Sequence, residues 1–136
     1  MKTFKTQILT PDGSVFDGET NSVKVPGSQG QFQVLHNHAA LMSSLTVGTA
    51  EINDSENNDQ LLAISGGFVE VNNNEVTVLA QAAERPEEID VERAKEAEER
   101  ARKRLKDSKM DTARADAALK RAVNRINLAD KYKPQS

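Results

Sequence analysis

Six arginines are the residues of this sequence best suited to chemistry. Arg93, Arg100 and Arg104 are spaced by seven and four, and Arg114, Arg121 and Arg125 repeat the same intervals. Those intervals put each set of three guanidiniums on one face of an α-helix. A guanidinium fork meets two phosphate oxygens at once, so two such faces brought near each other could hold a polyanion. A solvated face is the stronger reading of the pattern, because Glu96–Arg100 and Glu99–Lys103 stand in the favourable i,i+4 order. The pattern alone favours the solvated face over an anion site.

Other chemistry has little to work with. His36 and His38, in "LHNHAAL", would share one side of a strand, but no acidic residue lies close in sequence. A loop or capping role suits them, and no metal site is expected. The chain has no Cys, which excludes disulfides, thiolate nucleophiles and Cys-based zinc sites. There is no GxxxxGK[ST] and no GxGxxG. Gly27 and Gly30 in "VPGSQGQF" read as turn residues, since no helix opens after them. With no nucleophile–base pair in view, no catalytic residue is expected. The C-terminal part carries one Tyr as its only aromatic residue, and its charges alternate in sign. A stacking platform or basic stripe for nucleic acid is therefore not expected.

The elements that position these residues fall into two parts. Residues 1–86 hold four Lys/Arg against ten Asp/Glu, whereas residues 87–136 hold fourteen against eleven. The first part reads as β. "TFKTQIL", "SVKVPG", "GQFQVL", "LLAISGGFVEV" and "NEVTVLA" are strand-like, with turn signals at Pro11-Asp12-Gly13, Pro26-Gly27, Gly48, 54–59 and Asn72-Asn73-Asn74. Gly66-Gly67 inside a strand-like run suggests a bulge or sharp bend. From Asp90 the texture is helical, with Asp90 as N-cap. Val91, Ala94, Ala97, Ala101 and Leu105 make one stripe; Ala115, Ala118, Ala122, Ile126 and Ala129 make a second. "KDSKMD" separates them, and Asp111 can cap again. The expected fold is β plus α: a β-sandwich over 1–85, then an antiparallel two-helix hairpin over 86–136. The hairpin seam is mostly alanine and gains little from burial, which makes it a candidate moving part. No apolar leader and no run of 18 apolar residues occurs, so neither a secretion signal nor a membrane span is expected.

Three stretches carry a family resemblance: "VKVPGSQGQFQVLHNHAALMSSL", "ISGGFVEVNNNEVTVLAQAAE" and "IDVERAKEAEERA". In this order they resemble the epsilon subunits of bacterial F-type ATP synthases over nearly the whole chain. The resemblance implies a non-catalytic rotor subunit, peripheral on the cytoplasmic face of the cell membrane. Its sandwich would bind the gamma subunit and the c-ring, with Ser28, Gln29, Gly30 and Gln31 towards the ring and His38 towards gamma. Its hairpin would lie folded, or extend towards the alpha and beta subunits and inhibit ATP hydrolysis. Contact with the membrane would come only through the complex. Some relatives bind ATP as a regulatory ligand through Ile/Leu-Asp-x-x-Arg-Ala and further arginines. The matching residues here are Glu84, Ile89, Asp90, Arg93, Arg100, Arg121 and Arg125, and no other cofactor is implied. The sequence departs from the family pattern at Gln31, Gln33 and Ala40, which bears on the gamma and c-ring contacts. A free-standing ATP-sensing module is the alternative.

Overall fold

The computed structural model describes residues 2–106 and 112–131, which form two compact units meeting between Arg85 and Pro86. The first unit contains β1 (Phe4–Thr10), β2 (Gly13–Gly27), β3 (Gly30–Val34), β4 (Leu41–Asp54), β5 (Asp59–Asn72), β6 (Glu75–Ala80) and β7 (Ala83–Glu84). The second contains a short 3-10 turn (Pro86–Glu88), α1 (Val91–Lys106) and α2 (Thr112–Lys131). The expected Asp111 cap and the connection over 107–111 lie outside the described residues.

The first unit is a barrel-like sandwich whose ladders close. The order β1-β6-β5-β4-β2 returns to β1, because β1 pairs antiparallel with β2 and parallel with β6. β3 adds to the outer half of β2, and β7 to β5. Alternation explains the interior. Phe4, Thr6 and Ile8 point inward from β1, and Val69, Val71, Val76 and Val78 do so from β5 and β6. Fully burying a side chain of this size contributes about 1.5–3 kcal/mol. Thr6 is polar, and its hydroxyl is satisfied by the Thr20 hydroxyl at 2.7 Å.

Two expectations about glycine have different outcomes. Gly66 and Gly67 do mark a bend, with φ of +119° and +141°. There β5 leaves β7 and takes up β6. A Cβ on Gly67 would lie 2.0 Å from the Leu79 carbonyl oxygen. Gly48, expected at a turn, instead lies inside β4 opposite Ile64. Its missing side chain leaves room for Pro26, whose Cβ would meet an added Cβ at 2.6 Å.

One polar chain ties the end of the unit together. Asp54 Oδ1 accepts the backbone N–H groups of Glu56 (3.0 Å) and Asn58 (2.9 Å), and Oδ2 accepts from Gln60 Nε2 (3.2 Å). These bonds, that from Asn58 first, hold the Asp54 carboxyl below its usual range. Gln60 Oε1 in turn accepts from Arg85 Nη1 at 2.7 Å, while Arg85 Nη2 donates to the Val15 carbonyl at 2.9 Å. The last residue of the unit is thereby fastened to β5 and β2.

In the second unit α1 and α2 pack on each other, and α2 also lies against the 3-10 turn. The stripes are covered as alanine lines: Ala94 and Ala101 on α1, Ala115 and Ala122 on α2 are buried. Ala97, Ala118, Ile126 and Ala129 are half-buried. Leu128, outside the expected stripe, is buried as well.

Candidate functional site

Asp90 starts α1 as expected. Its Oδ1 accepts the Arg93 N–H at 3.1 Å, and its carbonyl accepts the Ala94 N–H at 3.0 Å. Ile89 just before it is buried, and its N–H donates to the Pro86 carbonyl at 3.2 Å. The loop, the cap and the first turn of α1 are thus one ordered piece.

The arginines can be placed from helix geometry. At roughly 100° per residue, Arg93, Arg100 and Arg104 sit about 70–110° to one rotational side of the buried Ala94–Ala101 line. Arg114, Arg121 and Arg125 take nearly the same offset from Ala115–Ala122 on α2. In an antiparallel pair, equal offsets of the same sense bring both sets to one flank of the hairpin. Arg93, Arg100 and Arg121 are exposed there; Arg125 is half-buried, with its Nε inside. Cations gathered on one flank repel unless an anion lies between them. Glu99–Lys103 (3.4 Å) and Glu98–Arg102 (3.5 Å) form i,i+4 pairs, so part of α1 is also a solvated ion-pair face. Glu84, the remaining residue of the expected set, is in β7 of the first unit and is half-buried.

The second expected site is a turn. Gly27 and Gly30 pair across the β2–β3 hairpin, leaving Ser28 and Gln29 as its tip; Ser28 through Gln31 are exposed. Gly30 has φ +128°, open to glycine and costly for other residues. The tip is held from the side: the Ser28 N–H donates to the Ser44 carbonyl at 3.0 Å, and the two hydroxyls are hydrogen-bonded. Ser44 lies on β4, a strand that lacks clean alternation, so no sequence signal marked it. His38 sits in the loop after β3, with Nδ1 2.8 Å from the Ala39 carbonyl oxygen. Among the described residues no group of three His, Cys, Asp or Glu could hold a metal ion. No described helix is long and apolar enough to cross a membrane.

Reading by alternation also passed over the exposed apolar residues Met42, Phe68 and Leu79. A signal was available: Phe68 and Leu79 fall on the outward parity of β5 and β6, where a large apolar side chain is out of place.

Comparison with known proteins covers both units. Residues 3–86 match the family model described as ATP synthase, Delta/Epsilon chain, beta-sandwich domain. Residues 87–130 match that of the long alpha-helix domain of the same chain. The ATP synthase epsilon chain of Halalkalibacterium halodurans is 45% identical over 132 residues, covering 95% of this chain and 98% of that one. That of Shouchella clausii is 43% identical over 129 residues, covering 95% and 96%. A chain in the cryo-EM structure of the Euglena gracilis mitochondrial ATP synthase (OSCP/F1/c-ring, rotational state 1) superposes with a TM-score of 0.78. It is 22% identical and covers 96% of this chain and 82% of that chain, a likeness of fold. A sandwich followed by an alanine-seamed hairpin, matched along nearly the whole length at 45% identity, places this chain in the ATP synthase delta/epsilon chain family.

Proposed function

We propose that the chain is a non-catalytic central-stalk subunit of an F-type ATP synthase, peripheral on the cytoplasmic face of the membrane. The observation that carries this is the match of both units, in order, to the two domains of the delta/epsilon chain. The sandwich binds the gamma subunit and the c-ring, with Ser28 to Gln31 at the ring and His38 towards gamma. The hairpin regulates. Extended towards the alpha and beta subunits it inhibits hydrolysis; folded, it does not.

ATP favours the folded hairpin. Its phosphates are held by Arg93, Arg100, Arg121 and Arg125, and its base meets Ile89 and Asp90. The arginines sharing one flank support this reading, because guanidinium forks suit phosphate oxygens. In this reading ATP is a regulatory ligand and not a substrate. A titration of the full-length protein with ATP, followed by heteronuclear NMR, tests it. Shifts confined to residues near 89–100 and 121–125 are expected. Their absence at millimolar ATP would overturn the ATP reading and leave the stalk assignment standing.

A further inference from the structure

β3 ends its ladder. It pairs with β2 on one side, and among the described residues no strand pairs with the other. The direction of its backbone groups follows from one proline. Pro26, opposite Gln31, has no N–H and cannot make a hydrogen-bonded pair. Alternation then makes Gly27–Gly30, Val25–Phe32 and Val23–Val34 the bonded pairs. The Ser28 N–H, which donates to Ser44 on β4, fits the same phase. Gln31 and Gln33 therefore turn their N–H and C=O groups to the open side, and both residues are exposed.

An open edge is ordinarily guarded by charge, proline, a bulge or cover. In a chain where 29% of residues are charged, Val25 through Ala50 contains no Asp, Glu, Lys or Arg. β3 holds no proline, and its register with β2 is unbroken. It runs for five residues, an ordinary strand length. It is also pre-formed: an added Cβ on Gly27 would lie 2.8 Å from the Phe32 ring. An ordered strand loses little conformational entropy on pairing.

We infer that the open edge of β3 pairs with the same edge of a second copy of this chain, antiparallel about a two-fold axis at Phe32. Self-complementarity selects that occupant. In this register Gln31 of each copy faces Gln33 of the other, so every outward N–H meets an outward C=O. The facing carboxamides share one side of the sheet and bond across the pair. Phe32 faces Phe32 as the close, non-hydrogen-bonded pair, with Cα atoms about 4.5 Å apart. A two-fold axis sets groups near their own copies, so a charged edge would repel itself and this one does not. The area is small and the pair is weak. Pairing of this kind needs no other subunit.

Sedimentation velocity on the full-length protein from about 5 µM to about 500 µM is the test. The average mass should climb from that of one chain towards that of two. Gln33→Pro removes an outward N–H and none that faces β2. It should weaken pairing about tenfold or more without moving the unfolding midpoint. Should that midpoint move, Gln33→Lys takes its place, because it sets two ammonium groups near the axis. In concentrated protein the Gln31 and Gln33 amide hydrogens should exchange about fivefold more slowly than in dilute protein. A monomer at every concentration, a dimer that neither variant weakens, or unslowed exchange at both amides would overturn the inference. So would protection of these amides only in an assembled synthase, which would give the edge to a strand of another subunit.

Discussion

Asn37 and Asn74, 37 residues apart, hold each other across one end of the sandwich. The Asn37 N–H donates to Asn74 Oδ1 at 2.7 Å, and Asn74 Nδ2 donates to Asn37 Oδ1 at 3.1 Å. Both residues have positive φ, 64° and 60°, which asparagine tolerates better than most residues. The loop carrying His38 is therefore tied to the β5–β6 turn. Asn74→Ala should cost about 2 kcal/mol, from two lost bonds and a strained backbone, read as a lower denaturant midpoint.

Gly67 and Gly30 separate two kinds of glycine requirement. Gly67→Ala puts a methyl 2.0 Å from the Leu79 oxygen at φ +141° and should cost about 3 kcal/mol or more. Gly30→Ala shares the positive φ but meets no atom within 4 Å, so about 1 kcal/mol is expected. Equal losses on thermal or denaturant unfolding would show that backbone strain, and not the clash, dominates at both positions.

Acid should weaken the sandwich partly through Asp54. Its folded carboxyl is held below the usual 3.8, so its contribution is present above that pH and is lost as pH falls through the lower folded value. Asp54→Asn should flatten this part of the stability–pH curve. An unchanged slope below pH 4 would show that the Asn58 and Glu56 amides do not discriminate between the two protonation states.

A chain ending at Arg85 should fold alone and unfold in one cooperative transition, since the core of the sandwich lies entirely within residues 4–80. In the assembled synthase the same truncation should raise ATP hydrolysis and leave assembly intact. Equal hydrolysis by the full-length and truncated forms would count against an inhibitory hairpin.

For ATP, Arg93→Ala and Arg125→Ala should weaken binding more than Arg102→Ala, whose guanidinium is paired with Glu98. At a hundredfold excess over Kd, a ligand confined to the folded hairpin stabilises it by about 2.7 kcal/mol. Calorimetry on the three variants checks the order, and Arg93→Lys should resemble Arg93→Ala because the bidentate fork is lost.

Much of the fold was legible where period and side-chain type agree. Phe4-Thr6-Ile8, the Val69-Val71 and Val76-Val78 pairs, and the Asp90 cap needed only local rules. β4 was not legible, because "LMSSLTVGTAEIND" mixes its parity around a register shift and carries Gly48, which reads as a turn until Pro26 is seen against it. The first half of β2 was not among the strand-like stretches, and it is strand by pairing with β1. Spacing placed the arginines on helix faces, but their shared flank depends on which line the fold buries, and Leu128 shows that burial did not follow the stripe alone.

The closed ladder has a mechanical meaning. An open sheet gives way from its margin, one hydrogen bond after another. Here a pull on the Ser28–Gln29 tip passes through β2 into β4 and β1, and from both directions into β5 and β6. Many bonds must then shear together. Sideways load is met as by a peg, not a ribbon, and the ring would rupture at once before it peeled.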